Sequence, residues 1–261
     1  MSAPGDSAPP EHVRRIAASA WKFRWQVELE AEARFARLAE RLRQIGASPS
    51  MADLARRAAL DERRHARLCA QLAESYGESI PIAAPPELAE IAPSGLKLRG
   101  KVLYEIVAAC CITETESMGV LTTLLGGTGA AGAAGTARGS TVRQVLRELA
   151  EDEVGHSRLG WAHLASEHAQ GATSFLGPLV PSMLEGSIDA DLFAPVSPER
   201  EDEALLLHGV LPHGLKREVF ARTLEEVVFP GMDGLGVDTG PARAWLDGKR
   251  QALAFCASRS A

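Results

Sequence analysis

Apolar residues recur three and four positions apart along most of the chain, and no stretch alternates with the period of two that a half-buried strand requires. The first such stripe, Trp21, Trp25, Phe35, Leu38, Leu42 and Ile45, predicts a helix over about 11–45 that Gly46 and Pro49 end. A second stripe, Met51, Leu54, Ala58, Cys69 and Leu72, predicts a helix over about 50–76, and the short break between the two implies an antiparallel hairpin. Residues 77–95 are rich in proline and glycine and read as a long connection with one turn of helix around 87–91. A third, unusually apolar helix follows over about 97–125, then a glycine- and alanine-rich hairpin loop at 126–139, which lacks the G-K-[ST] of a phosphate loop. The fourth helix covers about 140–170, with Val142, Leu146, Leu149, Gly160 and Leu164 on its stripe. Residues 171–197 read as a Pro/Gly-rich linker. Beyond it, Ser197, Pro198 and Glu199 read as an N-cap, a proline at the first helical position and an early acid, and Leu205 to Leu207, Val219, Phe220, Leu224, Val227 and Val228 supply apolar faces.

The order is therefore hairpin, long crossover, hairpin. This predicts an all-α chain: a four-helix bundle with one long crossover over 11–170, a disordered tail over 1–10 and a C-terminal helical extension over 171–261 packed on the bundle. A formal charge of −6 argues against nucleic acid as a partner, and Arg63 and Arg64 read as part of a solvated face. No apolar run reaches membrane-spanning length, and the first ten residues do not read as a signal peptide. Cys69, Cys110, Cys111 and Cys256 form no C-x-x-C pair and read as buried reduced thiols, which with the rest predicts a cytoplasmic protein.

Two segments repeat one pattern. Asp61-Glu62-x-x-His65-x-Arg67-Leu68 lies on the second predicted helix, and Asp152-Glu153-x-x-His156-x-Arg158-Leu159 lies on the fourth. Residues i and i+3 share a helix face one turn apart, so a Glu and a His so spaced can hold metal jointly. A dimetal bundle takes this pair from two helices and one Glu from each of the other two. Glu62 and His65 fall on the apolar stripe of their helix, as do Glu153 and His156 on theirs, and core-facing ionisable groups are costly unless paired or metal-bound. Helix one offers Glu28, Glu30 and Glu32. The stripe excludes Glu30, and Glu28 fits best because Glu28 and Glu62 lie 18 and 16 residues on either side of Gly46. Helix three offers Glu114 and Glu116, which periodicity does not separate. His163 shares the stripe of His156 and reads as a hydrogen-bonded core histidine rather than a further ligand; His12, His168, His208 and His213 read as surface residues. Trp21, Trp25 and Cys69 read as core packing, with a pocket beside the metals as the alternative.

With F-A-R-L-A at 35–39, A-A-L-D-E-x-x-H-A-R-L-C at 58–69, C-C-x-x-E-T at 110–115 and E-D-E-x-x-H at 151–156, the chain resembles the ferritin-like di-iron superfamily of bacterioferritin, rubrerythrin and the bacterial di-iron oxygenases, and more narrowly a bacterial ferritin-like group. The resemblance covers about 20–170 and implies metal ligands Glu28, Glu62, His65, Glu114, Glu153 and His156. It also implies that Asp61 and Asp152 bond the distal nitrogens of the ligand histidines. Carboxylates and imidazoles suit two iron ions, with a manganese–iron pair as the variant, better than a soft metal. The function expected is an O2-activating oxidoreductase, an oxygenase or oxidase, acting on a small organic substrate with an external electron donor; a homodimer is compatible with it. The alternatives are a ferroxidase or rubrerythrin-like peroxide- and iron-handling protein, which the absent C-x-x-C disfavours, and a non-catalytic helical binding module.

Overall fold

A computed structural model describes residues 8–82, 86–130, 137–188 and 190–260, and these are helical with no strand among them. Helix α1, Glu11–Gln44, starts after Pro10, carries Glu11 in its first turn and Arg41 and Arg43 in its last, and so has charges placed against its dipole at both ends. It closes on Gly46, whose positive φ lets Ala47 N–H return to Leu42 O. Pro49, rather than ending α1, opens α2 (Pro49–Ser75) at its first turn, where no N–H is needed.

Helix α3 runs over 98–130 in three pieces: Leu98–Ile106, a π segment Val107–Thr113, and Glu114–Ala130. Helix α4 is Ala137–His168. The glycines expected to form a loop at 126–139 are thus helical up to Ala130 and again from Ala137, and 131–136 lie outside the described residues. The expected turn at 87–91 is not helical. Residues 1–7 of the expected tail also lie outside the described residues.

The expected linker is largely helical too. A 3-10 turn, Ser174–Leu179, leads into α5 (Val180–Ser187) because Leu176, Val180, Met183 and Leu184 are all buried against α3 and α4. Two further 3-10 turns, Pro198–Glu201 and Glu203–His208, precede α6 over 213–234, which itself contains a π segment at Leu224–Val228. The extra residue of that segment turns Val227 outward, 48% exposed, although its spacing placed it on the apolar face. Helix α7, Gly240–Ser260, ends the described chain. No described helix is long and apolar enough to cross a membrane.

Helix α1 packs along α2, α2 on α4, and α4 on α3. Two core clusters lie at the two ends of these helices. One holds Phe35, Leu38, Leu42, Ala55, Ile106 and Leu159; the other holds Trp21, Trp25, Cys69, Leu72, Leu121 and Leu146. A third joins α3 and α4 to the C-terminal helices through Leu103, Ile112, Leu176, Phe220, Phe229 and Leu246. Gly160 permits the closest approach of α4 to the π segment of α3: a Cβ there would meet Cys110 Cβ at 2.5 Å and its carbonyl carbon at 2.9 Å. Gly160→Ala is therefore expected to cost roughly 1–3 kcal/mol by overpacking, and to displace the turn that carries Glu114. Thermal melting and the metal content of the purified variant check this.

Three of the expected cysteine burials hold, at Cys69, Cys110 and Cys111, but Cys256 is exposed near the end of α7. His213 is buried, not on the surface, and its Nε2–H donates to Asp191 O at 3.0 Å.

Candidate metal centre

Between the two end clusters the core is interrupted by one polar layer. Glu28 follows Trp25 on α1, Glu62 and His65 follow Ala58 on α2, Glu114 immediately follows the π segment on α3, and Glu153 and His156 follow Leu149 on α4. All six are buried, with exposures from 0% to 8%. Four carboxylates and two imidazoles buried together would carry a large desolvation cost without a cation to share.

The six residues form two groups, each with its donor atoms within 4.8 Å of one another: Glu28, Glu62, His65 and Glu153 in one, and Glu62, Glu114, Glu153 and His156 in the other. Glu62 and Glu153 belong to both groups. The two oxygens of Glu62 divide between the groups, Oε2 at 3.0 Å from His65 Nδ1 and Oε1 at 3.0 Å from His156 Nδ1. Glu153 Oε2 lies 3.1 Å from His156 Nδ1. Each group therefore has one imidazole, one private carboxylate and two shared ones. Each group could hold a metal ion, and its oxygen-rich donor set suits a hard one.

Both Nδ1 atoms face the carboxylates, so both Nε2 atoms face away. His65 Nε2 lies 3.0 Å from Asp152 Oδ2, and His156 Nε2 lies 3.5 Å from Asp61 Oδ2. The expected aspartate partner is thus present for His65, supplied by the other helix, whereas Asp61 stands near His156 Nε2 without a hydrogen bond to it and that nitrogen has no hydrogen-bond partner. Arg64 joins the two, lying 3.1 Å from Asp61 Oδ1 and donating to Asp152. Both arginines keep the solvated, acid-paired position expected of them, Arg64 with its side chain 40% exposed and Arg63 pairing with Glu32. A carboxylate on Nε2 fixes the imidazole with Nδ1 free for metal, so Asp152→Asn is expected to weaken metal binding roughly 10–100-fold. A competitive chelator titration reads that loss.

The protonation of the metal-free cluster follows from its crowding. Burial and the neighbouring Glu62 push the Glu28 carboxyl well above its usual range, and burial with Glu153 and Glu62 does the same to Glu114. Burial alone would raise Glu62 as well, but hydrogen bonds from His156 and His65 hold it at about 2. Burial likewise disfavours charged imidazoles, yet the carboxylates override it: His156 is raised to about 10 and His65 is raised too. Protons thus stand where cations would. Two divalent ions would replace them with the same charge.

His163 stays outside both groups and is buried as expected, but it is not the hydrogen-bonded histidine the spacing suggested: Nε2 lies 3.9 Å from Glu167 with no hydrogen-bond partner, and burial lowers its pKa. Glu30 is exposed, and Glu116 is half-buried and belongs to neither group. Trp21 and Trp25 do line a cavity that reaches Glu28, while Cys69 packs in the core. The chain matches no protein-family model, no characterised protein and no solved structure.

Proposed function

We propose that the chain is a ferritin-like bundle holding two iron ions, and that it uses them with O2 and an external electron donor to oxidise a small organic substrate. The observation that carries this is a cavity of about 1540 Å³ between α1, α3 and the C-terminal segments, whose wall includes the carboxylates of Glu28, Glu62, Glu114 and Glu153. Neither ligand histidine lines it, so the imidazoles and their aspartates back the cluster while its carboxylate side faces open space. Iron there would supply electrons to O2.

The chain's own residues do the rest. Glu62 and Glu153 would hold the two positions together, Asp152 fixes the His65 imidazole through Nε2, and Trp25, Val120, Leu192 and Phe220 give the cavity an apolar part of its wall. Iron storage alone would need no such space, which is why oxidation of an organic molecule is favoured over ferroxidation.

The test is to load the protein with Fe(II), supply a chemical reductant, a small-molecule extract and isotopically labelled O2, and search for labelled or dehydrogenated products by mass spectrometry. Multiple turnovers into organic products support the reading. O2 uptake that ends in accumulated ferric iron, with no organic product, overturns it in favour of iron handling.

A further inference from the structure

Helix α2 turns a basic ridge to solvent directly behind the metal layer. Arg57, Leu60, Arg64 and Arg67 recur at spacings of three and four, so they share the face of α2 opposite Glu62. Leu60, at the middle of the ridge, is 60% exposed, and Arg57 and Arg67 are exposed on either side of it. Arg56 and Arg63 flank the ridge. Two acids stand on the outer side of this stretch of α2, Asp53 and Asp61, and they pair with Arg56 and Arg64. Arg63 pairs with Glu32 of α1. Arg57 and Arg67 form no ion pair among the described residues. On the neighbouring α4 the outward charges are mixed, Arg147 and Arg158 with Glu148 and Glu151, so the basic surplus belongs to α2 itself. In a chain of net charge −6 it is a local reversal of sign.

The ridge is also joined to the cluster. Arg64 donates to Asp152, and Asp152 stands 3.0 Å from Nε2 of His65, whose Nδ1 faces the carboxylates. Asp152 and His65 thus link the surface to the metal position across about 10 Å, one helix diameter. The cavity opens on the opposite side, where neither ligand histidine reaches. A protein delivering electrons through the cavity would compete with the substrate for that space, and one seated on α2 would not. An apolar centre with an arginine rim suits a transient contact, in which the charges steer the encounter. Electron-transfer complexes lie at the small end of interface sizes, which a ridge about 15 Å long can serve.

We infer that the outer face of α2 is the docking surface for a small acidic one-electron carrier protein, with Leu60 at its centre and Arg57 and Arg67 on its rim. The inference rests on the proposed function in needing an electron donor; its own evidence is the ridge and the Arg64–Asp152–His65 connection. The carrier gives up one electron per encounter and one ferric ion takes it up, so two encounters return the pair to the ferrous state.

The probe is an acidic two-iron ferredoxin, with basic cytochrome c as its counterpart, and binding to the iron-loaded and the metal-free protein is read by calorimetry and stopped flow without O2. Wild type is expected to bind ferredoxin in both forms, less well as salt rises, and not cytochrome c. Arg57→Glu combined with Arg67→Glu should slow ferredoxin association roughly 10–100-fold at low ionic strength. Leu60→Glu should weaken it too. Arg222→Glu, on α6, which packs on α3 rather than on α2, should match wild type. Reduction of the ferric protein by ferredoxin should slow in step with association, while metal content, melting temperature and reduction by dithionite stay at the wild-type level. No ferredoxin binding by wild type, unchanged association after the double reversal, or equal loss of reduction by ferredoxin and dithionite overturns the assignment. Binding of single-stranded DNA or anionic vesicles that the same variants abolish would give the ridge to polyanions in general and also overturn it. Because docking is read without turnover, its failure leaves the O2 chemistry to product analysis, and a failure of that chemistry leaves the docking result standing.

Discussion

Glu62→Ala is expected to abolish binding of both metal ions. Glu62 is the one residue whose two carboxylate oxygens each stand 3.0 Å from a different ligand histidine, so its loss removes a donor from both positions. Loss of an outer partner such as Asp152 should leave a weakened site; loss of a shared ligand should exceed that roughly 10–100-fold penalty and leave less than one tightly held ion per chain. Glu28→Ala and Glu114→Ala should be milder, because each belongs to one group only. Glu32→Ala and Glu116→Ala should leave metal content at the wild-type level. Elemental analysis after dialysis against a weak chelator orders these variants. Equal retention by Glu62→Ala and Glu32→Ala would mean that the shared geometry does not bind metal.

The second large effect is on pH. In the metal-free protein Glu28, Glu114, His65 and His156 all have raised pKa values, His156 up to about 10. A group whose folded pKa is raised binds protons better in the folded state. Its contribution to stability is complete below the unfolded pKa, near 4.3 for Glu and 6.5 for His, and fades as pH rises through the folded value. The metal-free protein should therefore lose stability from mildly acidic pH towards about 10, as the crowded carboxylates are left without protons. Cations compete for the same positions, so metal affinity should rise over the same window, and loading near neutral pH should release up to about four protons per chain. At a free-metal concentration 1,000 times the dissociation constant, each site should add about 4 kcal/mol. The melting temperatures of loaded and metal-free protein should diverge as pH rises from 6 to 9. Parallel curves would show that the cluster does not exchange protons for metal.

What could be read from the sequence follows from which interactions are local. The pairs Glu62–His65 and Glu153–His156 were visible because both members lie on one helix at a spacing that fixes their common face. Glu28 was separable from Glu30 because α1 is regular past both tryptophans, and from Glu32 because it stands nearly as far before Gly46 as Glu62 stands after it. Glu114 was not separable from Glu116 because the π segment Val107–Thr113 inserts one residue into the turn before it, rotating all later positions by about 100°. Stripes read on either side of that break cannot share one phase.

Contacts across the fold were the least legible. That Asp152 bonds the histidine of the opposite helix, with Arg64 between it and Asp61, depends on how α2 meets α4. Residues 171–197 were misread as linker because the 3-10 turn Ser174–Leu179 does not hold a 3.6-residue period. The buried side chains Leu176, Val180 and Leu184 find their partners on α3 and α4 instead.

The most direct measurement is a crystal structure of the iron-loaded protein with anomalous scattering recorded at the iron edge. Two peaks about 3–4 Å apart, lying between Glu62 and Glu153 with one near each histidine Nδ1, are expected. No peak in that layer, or a single ion bound to one histidine with Glu62 turned away, would contradict a carboxylate-bridged pair.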